Sequence, residues 1–160
     1  MNTTSGMNII HSLLRAMNTA LPTSYGMVLF PAFQAIGVFG PLDVLNTLAL
    51  QRPLHISLLS STLEPVSTKP TVMNVSGSSF GESIVPTHTF DVPSEDLEVL
   101  FVSGGIGTRG ALVAPAVEFV GKMYLKLKYL VSVCMGAAIE AKTGVLDGRG
   151  RQQIRGRGLG

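Results

Sequence analysis

Charge is scarce in this sequence. Only 14% of residues are Asp, Glu, Lys or Arg, against 46% apolar, where a soluble domain usually carries about 25% charged. Strands buried on both faces give such a composition, because they read as unbroken Val/Ile/Leu runs; so does a surface meant for another subunit. Cysteine occurs once, at Cys134, which rules out an internal disulfide framework and leaves a reducing, cytoplasmic setting as the default. No proper secretory signal precedes the sequons at Asn2 and Asn74, so neither carries weight. The longest charge-free stretch, Ala16 to Leu42, is interrupted by Pro22, Gly26, Pro31, Gly37, Gly40 and Pro41. It therefore lacks the roughly 20-residue apolar helical run a membrane span needs, and no membrane association is expected. His11 and His55 show no partner at ligand spacing, so no metal is expected. No internal repeat is found, and the length suits one domain rather than two.

The net charge of +2 is unevenly placed. Arg149, Arg151, Arg155 and Arg157 fall in the last dozen residues, and the rest of the chain carries about −2. That Arg/Gly tail (149–160) has no periodicity and reads as disordered. It is a weak candidate for phosphate binding, with four arginines and no aromatic, and no nucleic-acid partner is expected. Residues 1–24 lack acids and contain Arg15, a faint similarity to a mitochondrial presequence; the plainer reading is an N-terminal extension.

Between these ends, short apolar runs alternate with helical patterns. Tyr25–Phe30, Leu54–Leu59, Leu97–Val102 and Leu127–Val133 read as buried strands. Phe39–Ala49 reads as a helix with Pro41 in its first turn and a stripe of Leu42, Leu45, Leu48 and Ala49. Ala116–Leu125 and Gly136–Lys142 read as further helices, the last stopping at Gly144. Residues 63–92, rich in Ser, Thr, Gly and Pro, read as a hairpin-like excursion. Such alternation predicts an open parallel sheet with crossover helices on both faces. Sites in such sheets form beyond the carboxyl ends of the strands. Three loops should converge there: Pro31 onward, Gly104-Gly105 and Cys134.

Val131-Ser-Val-Cys-Met-Gly-Ala-Ala138 runs from an apolar strand into small residues opening a helix. A sharp strand-to-helix turn that presents a nucleophile needs small neighbours, and Gly136, Ala137 and Ala138 supply them. The positive end of a helix dipole favours thiolate. The competing reading is a buried, inert cysteine, the commonest fate of a free one. Gly105-Ile-Gly-Thr-Arg-Gly110 formally matches a dinucleotide-binding fingerprint, but Pro115 delays the helix and the stretch near Lys126 and Lys128 is basic where an acid is wanted. A flexible loop over the cysteine pocket is the plainer role, and no cofactor is expected.

Phe30-Pro-Ala-Phe-Gln34, Phe39-Gly-Pro-Leu-Asp-Val44, Val102-Ser-Gly-Gly105, Val133-Cys-Met-Gly-Ala137 and Thr143-Gly-Val-Leu-Asp-Gly148 occur in this order. Over residues 25–148 the chain thereby resembles the DJ-1/PfpI superfamily, of the class I glutamine amidotransferase-like fold, and within it the isocyanide hydratase-like branch. The resemblance implies a flavodoxin-like α/β sandwich and a homodimer. It also implies a reactive cysteine at Cys134, an assisting acid from the first loop, and oxyanion-type amide donors at Gly105 and Met135. Three departures stand out. The acid position aligns with Gly37, which can neither hydrogen-bond the sulfur nor move a proton. Met135 stands where the branch usually has Thr. Past Leu146-Asp-Gly148 the family continues with further strands and helices, whereas this sequence enters the Arg/Gly tail, as a truncated or frame-shifted reading frame does; the sheet is expected to be incomplete at its C-terminus.

The expected chemistry is cysteine-dependent addition of water to a small electrophilic substrate such as an isonitrile, weak or absent because of Gly37. A degenerate non-catalytic member, a cysteine redox sensor, and glyoxalase-like action on small ketoaldehydes remain open beside it. Asp43 is the acid nearest the lost position in sequence, but its helical register points it elsewhere. Glu82 and His88, in the excursion, are further candidates for reaching the crevice.

Overall fold

The computed structural model describes residues 21–70 and 73–145. The N-terminal extension and the Arg/Gly tail expected from the sequence fall on residues outside that range, apart from 21–24.

Among the described residues seven strands form: β1 (Ser24–Val28), β2 (His55–Ser60), β3 (Val66–Ser67), β4 (Ser83–Ile84), β5 (His88–Thr89), β6 (Val99–Val102) and β7 (Tyr129–Ser132). Five of them make one parallel sheet in the order β5-β2-β1-β6-β7, and β3 and β4 pair as a separate antiparallel hairpin. The register runs Met27↔Leu58 on one side of β1 and Met27↔Phe101 on the other. Three α-helices are α1 (Ala35–Ala49), α2 (Ala114–Met123) and α3 (Gly136–Lys142).

The β1-α1-β2 and β6-α2-β7 crossovers step in opposite directions along the sheet. Since such connections are right-handed, α1 and α2 lie on opposite faces, and α3 packs against α2. This is the open parallel sheet with helices on both faces that the alternation of elements predicts, in the flavodoxin-like α/β arrangement that the resemblance implies. The middle of the sheet is the core: Met27, Val28, Leu29, Leu59, Leu100 and Val102 are fully buried, and Phe119, Val120 and Ile139 close over them from α2 and α3. Burying a side chain of this kind contributes about 1.5–3 kcal/mol, which is why these apolar runs fold as central strands.

Two elements differ from the sequence reading. The first helix begins at Ala35, not Phe39, so Pro41 sits inside it. A proline there gives no amide to the carbonyl of Gly37 four residues back, which reads locally as a boundary. The actual start is set by tertiary structure: the Gln34 amide donates to the Gly104 carbonyl at 2.9 Å, fixing where the chain leaves the β1 loop. The excursion over 63–92 is also more than a hairpin. Its β3–β4 ladder stands apart from the sheet, but β5 joins the main sheet beside β2. Phe90, just after β5, stacks on Phe119 of α2 with ring centroids 4.7 Å apart, which holds the returning chain against the core.

Candidate functional site

The carboxyl ends of β1, β6 and β7 meet, and the contacts between them are made by backbone. After β6, Gly104 lies against the turn that follows β7: a Cβ added to Gly104 stands 2.5 Å from the Met135 nitrogen. Gly105 has φ 138° and ψ 169°, a region open in practice only to glycine. A Cβ there stands 2.5 Å from the Ala32 carbonyl oxygen and 2.6 Å from the Gln34 nitrogen. The Gly107 amide donates to the Ala32 carbonyl at 3.1 Å. The three loops expected to converge therefore do, and two adjacent glycines make the closeness feasible.

Cys134 occupies the turn between β7 and α3. It is exposed, and its φ is +55°. A non-glycine residue in the left-handed region costs of order 1–3 kcal/mol and persists only where its surroundings impose it. Here they do. The Val133 amide donates to the Val102 carbonyl at 2.9 Å and the Gly136 amide to the Val133 carbonyl at 3.0 Å. Gly136 is pressed so close to β6 that a Cβ stands 2.0 Å from the Val102 oxygen. The thiol thus faces solvent and is not a core side chain. Neither the Gly105 amide nor the Met135 amide has a hydrogen-bond acceptor among the described residues.

Gly37 lies buried in the first turn of α1. A Cβ added to it meets Ser103 Cβ at 3.4 Å and the Gly104 nitrogen at 3.8 Å. Those are ordinary contact distances for a Cβ, which at this position faces Ser103 and the loop that abuts Met135. Asp43 lies exposed two turns further along α1. Glu82 is held within the hairpin by Thr68 Oγ1 at 2.9 Å. His88 sits on β5 with its Nδ1 2.8 Å from Thr87 Oγ1. His55 and His88 both line a broad groove with Glu95 and Glu98, and Cys134 is not part of it. No group of three or more metal-ligating side chains occurs among the described residues. No helix there is long and apolar enough to cross a membrane.

Three groups at the site escaped the sequence reading. Ser103 Oγ is fully buried without a partner among the protein atoms, next to the space beside Gly37. Glu140, on α3, is buried; desolvation raises its carboxyl above the ordinary 4.5, opposed by a hydrogen bond from Ser132. Lys142 Nζ donates to the Thr108 carbonyl at 2.6 Å, tying α3 to the loop after β6. That loop is no open flap: Ile106–Arg109 forms a 3₁₀ turn. No sequence signal marks Ser103, since a serine at a strand end reads as a turn residue until the space beside it is known.

A model of the DJ-1/PfpI family matches residues 25–151. The chain belongs to the DJ-1/PfpI family. It is 32% identical over 127 residues to an isonitrile hydratase from Pseudomonas putida, covering 78% of this chain and 49% of that protein. Among solved structures, a ThiJ/PfpI family protein from Pseudomonas syringae superposes with a TM-score of 0.63 at 29% identity, over 78% of this chain and 47% of the other. A DJ-1 superfamily protein from Agrobacterium tumefaciens superposes at 0.60 with 20% identity, over 79% and 61%; at that identity the likeness is one of fold. This DJ-1/PfpI chain thus spans about half the length of the curated relative it matches. The described part of it ends its sheet at β7.

Proposed function

We propose that this DJ-1/PfpI chain presents Cys134 as a nucleophile toward small electrophilic carbon, with hydration of isonitriles as the preferred reaction and turnover weak or absent because Gly37 stands at the acid position. The observation that carries the reading is the exposed Cys134 at φ +55° on the turn between β7 and α3. The thiol sulfur adds to the isonitrile carbon, which takes up a proton. Water then adds to the resulting thioimidate, and the sulfur leaves with the N-substituted formamide as product. In this reading the Gly105 and Met135 amides, which have no acceptor among the described residues, bind charge that develops at the reacting centre. The reading further takes the assembled protein to be a homodimer.

A positioned acid contributes typically 10²–10⁴-fold, and position 37 carries none. A Cβ at position 37 meets only ordinary contacts, and beside it lies the Ser103 hydroxyl, without a partner among the protein atoms and able to donate to a carboxylate. Gly37→Asp and Gly37→Glu are therefore expected to raise formamide production from an aliphatic isonitrile by at least about tenfold, followed by chromatography of the product. A Cys134→Ser background must abolish the gain. No gain in either acid variant, in chains that remain folded, would count against a latent enzyme. It would leave the second reading, which the exposure of Cys134 favours: a thiol that cycles through oxidation, read by mass spectrometry after peroxide treatment.

A further inference from the structure

Beside the cysteine turn, and separate from it, lies a second cavity of about 260 Å³. Its walls come from three segments: Pro31 and Ala32 after β1, Pro70 and Met73 from the hairpin, and Ile106 to Leu112 after β6. Cys134 does not line it. Three apolar side chains in its wall are left exposed, Met73 at 60%, Ile106 at 38% and Leu112 at 61%. Exposed apolar groups that converge on one concavity mark a binding surface more often than scattered ones do. Among the described residues the wall carries one charged residue, Arg109, and no acid. Arg109 forms no ion pair among the described residues. Ala32 (φ 61°) and Met73 (φ 79°), two of the three non-glycine residues with positive φ among the described residues, are both in this wall. Such conformations gather at ligand clamps and active sites.

From the apolar walls, the volume and the Arg109 guanidinium, which forms no ion pair among the described residues, we infer that this cavity binds a small organic anion: one ring or branched alkyl body bearing a carboxylate. The body lies against Met73, Ile106 and Leu112, and the carboxylate accepts paired hydrogen bonds from Arg109, the geometry for which a guanidinium is suited. Its wall follows directly on Gly105, so occupancy bears on the loop next to Cys134, but binding itself does not depend on the thiol.

Titration of the ¹⁵N-labelled full chain with benzoate, and in parallel with the uncharged benzamide, tests this. Benzoate is expected to produce saturable shifts of the Gly107, Arg109 and Leu112 amides at millimolar concentration, the range open to a ligand this small. Benzamide is expected to bind about tenfold more weakly. Arg109→Ala is expected to erase that difference, Leu112→Ser to weaken both ligands, and Cys134→Ser to leave both unchanged. Arg109 and Leu112 are exposed, so the variants are expected to keep the parent spectrum. Equal binding of benzoate and benzamide, a preference that survives Arg109→Ala, or no saturable shift up to the solubility limit each overturn the inference. Loss of benzoate binding in Cys134→Ser would instead assign the anion to the cysteine crevice and overturn the separate site.

Discussion

Gly104 shows how narrowly the site is drawn. Its missing side chain is what lets β6 and the Cys134 turn touch, since a Cβ stands 2.5 Å from the Met135 nitrogen and 3.0 Å from its Cα and Cβ. Both neighbours are backbone or close to it, so they cannot swing aside as the end of a flexible side chain does. Gly104→Ala is therefore expected to push the turn outward, lowering stability by about 1–3 kcal/mol. It should also slow Cys134 labelling by more than the fraction of unfolded chain explains. Urea unfolding and labelling kinetics on the same sample separate the two effects. Gly37 is the opposite case, a glycine with space beside it. Gly104 belongs to a family-like motif and Gly37 departs from one, but the space around each is something no sequence pattern states.

At the scale of elements, the strands were legible because each is a short, unbroken apolar run bounded by Pro, Gly or polar residues. The start of α1 was not, because Pro41 gives a local stop signal that the bond from Gln34 to Gly104 overrides. Nor was β5, whose two residues have no pattern of their own and are recruited by pairing with Leu59 and Ser60. The candidate turn at Cys134 could be read from its run of small residues; its exposure and positive φ could not, as both follow from Gly136 pressing on Val102. The amino ends of β1, β6 and β7 are joined by Glu98. Its carboxylate pairs with Lys128 and accepts from the Thr23 amide at 2.6 Å and the Ser24 amide at 3.2 Å. The Lys128 hydrogen bond, then the Thr23 amide, hold its pKa near about 2, below the ordinary 4.5. A depressed carboxylate stabilises the fold above the unfolded value and loses that contribution as pH falls toward the folded one. Glu98→Gln is accordingly expected to cost up to about 1 kcal/mol at pH 7, a modest amount because the pair is solvent-accessible. The difference from the parent should shrink below pH 4.5 and vanish near about 2. A gap that persists at the acid end would show that the substituted amide disrupts the strand ends for a reason other than lost charge.

Across the whole molecule, stability is graded from the middle of the sheet outward. β1 is flanked by β2 and β6, and its residues Met27 and Val28 are fully buried. β7 closes the described sheet with Tyr129 58% exposed and no buried residue along its length. Opening free energies follow buried contacts, so amide exchange is expected to be slowest in β1 and β6 and faster in β7. Protection of β7 equal to that of β1 would mean that another chain or segment covers this edge. An uncovered parallel edge also invites pairing between molecules. Exchange should therefore be measured at several protein concentrations, with protection of β7 alone rising as association sets in.

The reading of the cysteine turn rests on the fold making Cys134 more reactive than its sequence is. The direct measurement is the rate of iodoacetamide alkylation of Cys134 in the folded chain. It is set against a synthetic peptide spanning residues 131–139 at the same pH and salt. The folded chain is expected to react at least about tenfold faster. Equal or slower reaction in a folded, monodisperse sample would contradict the account, and the turn would then be a shape kept without its chemistry.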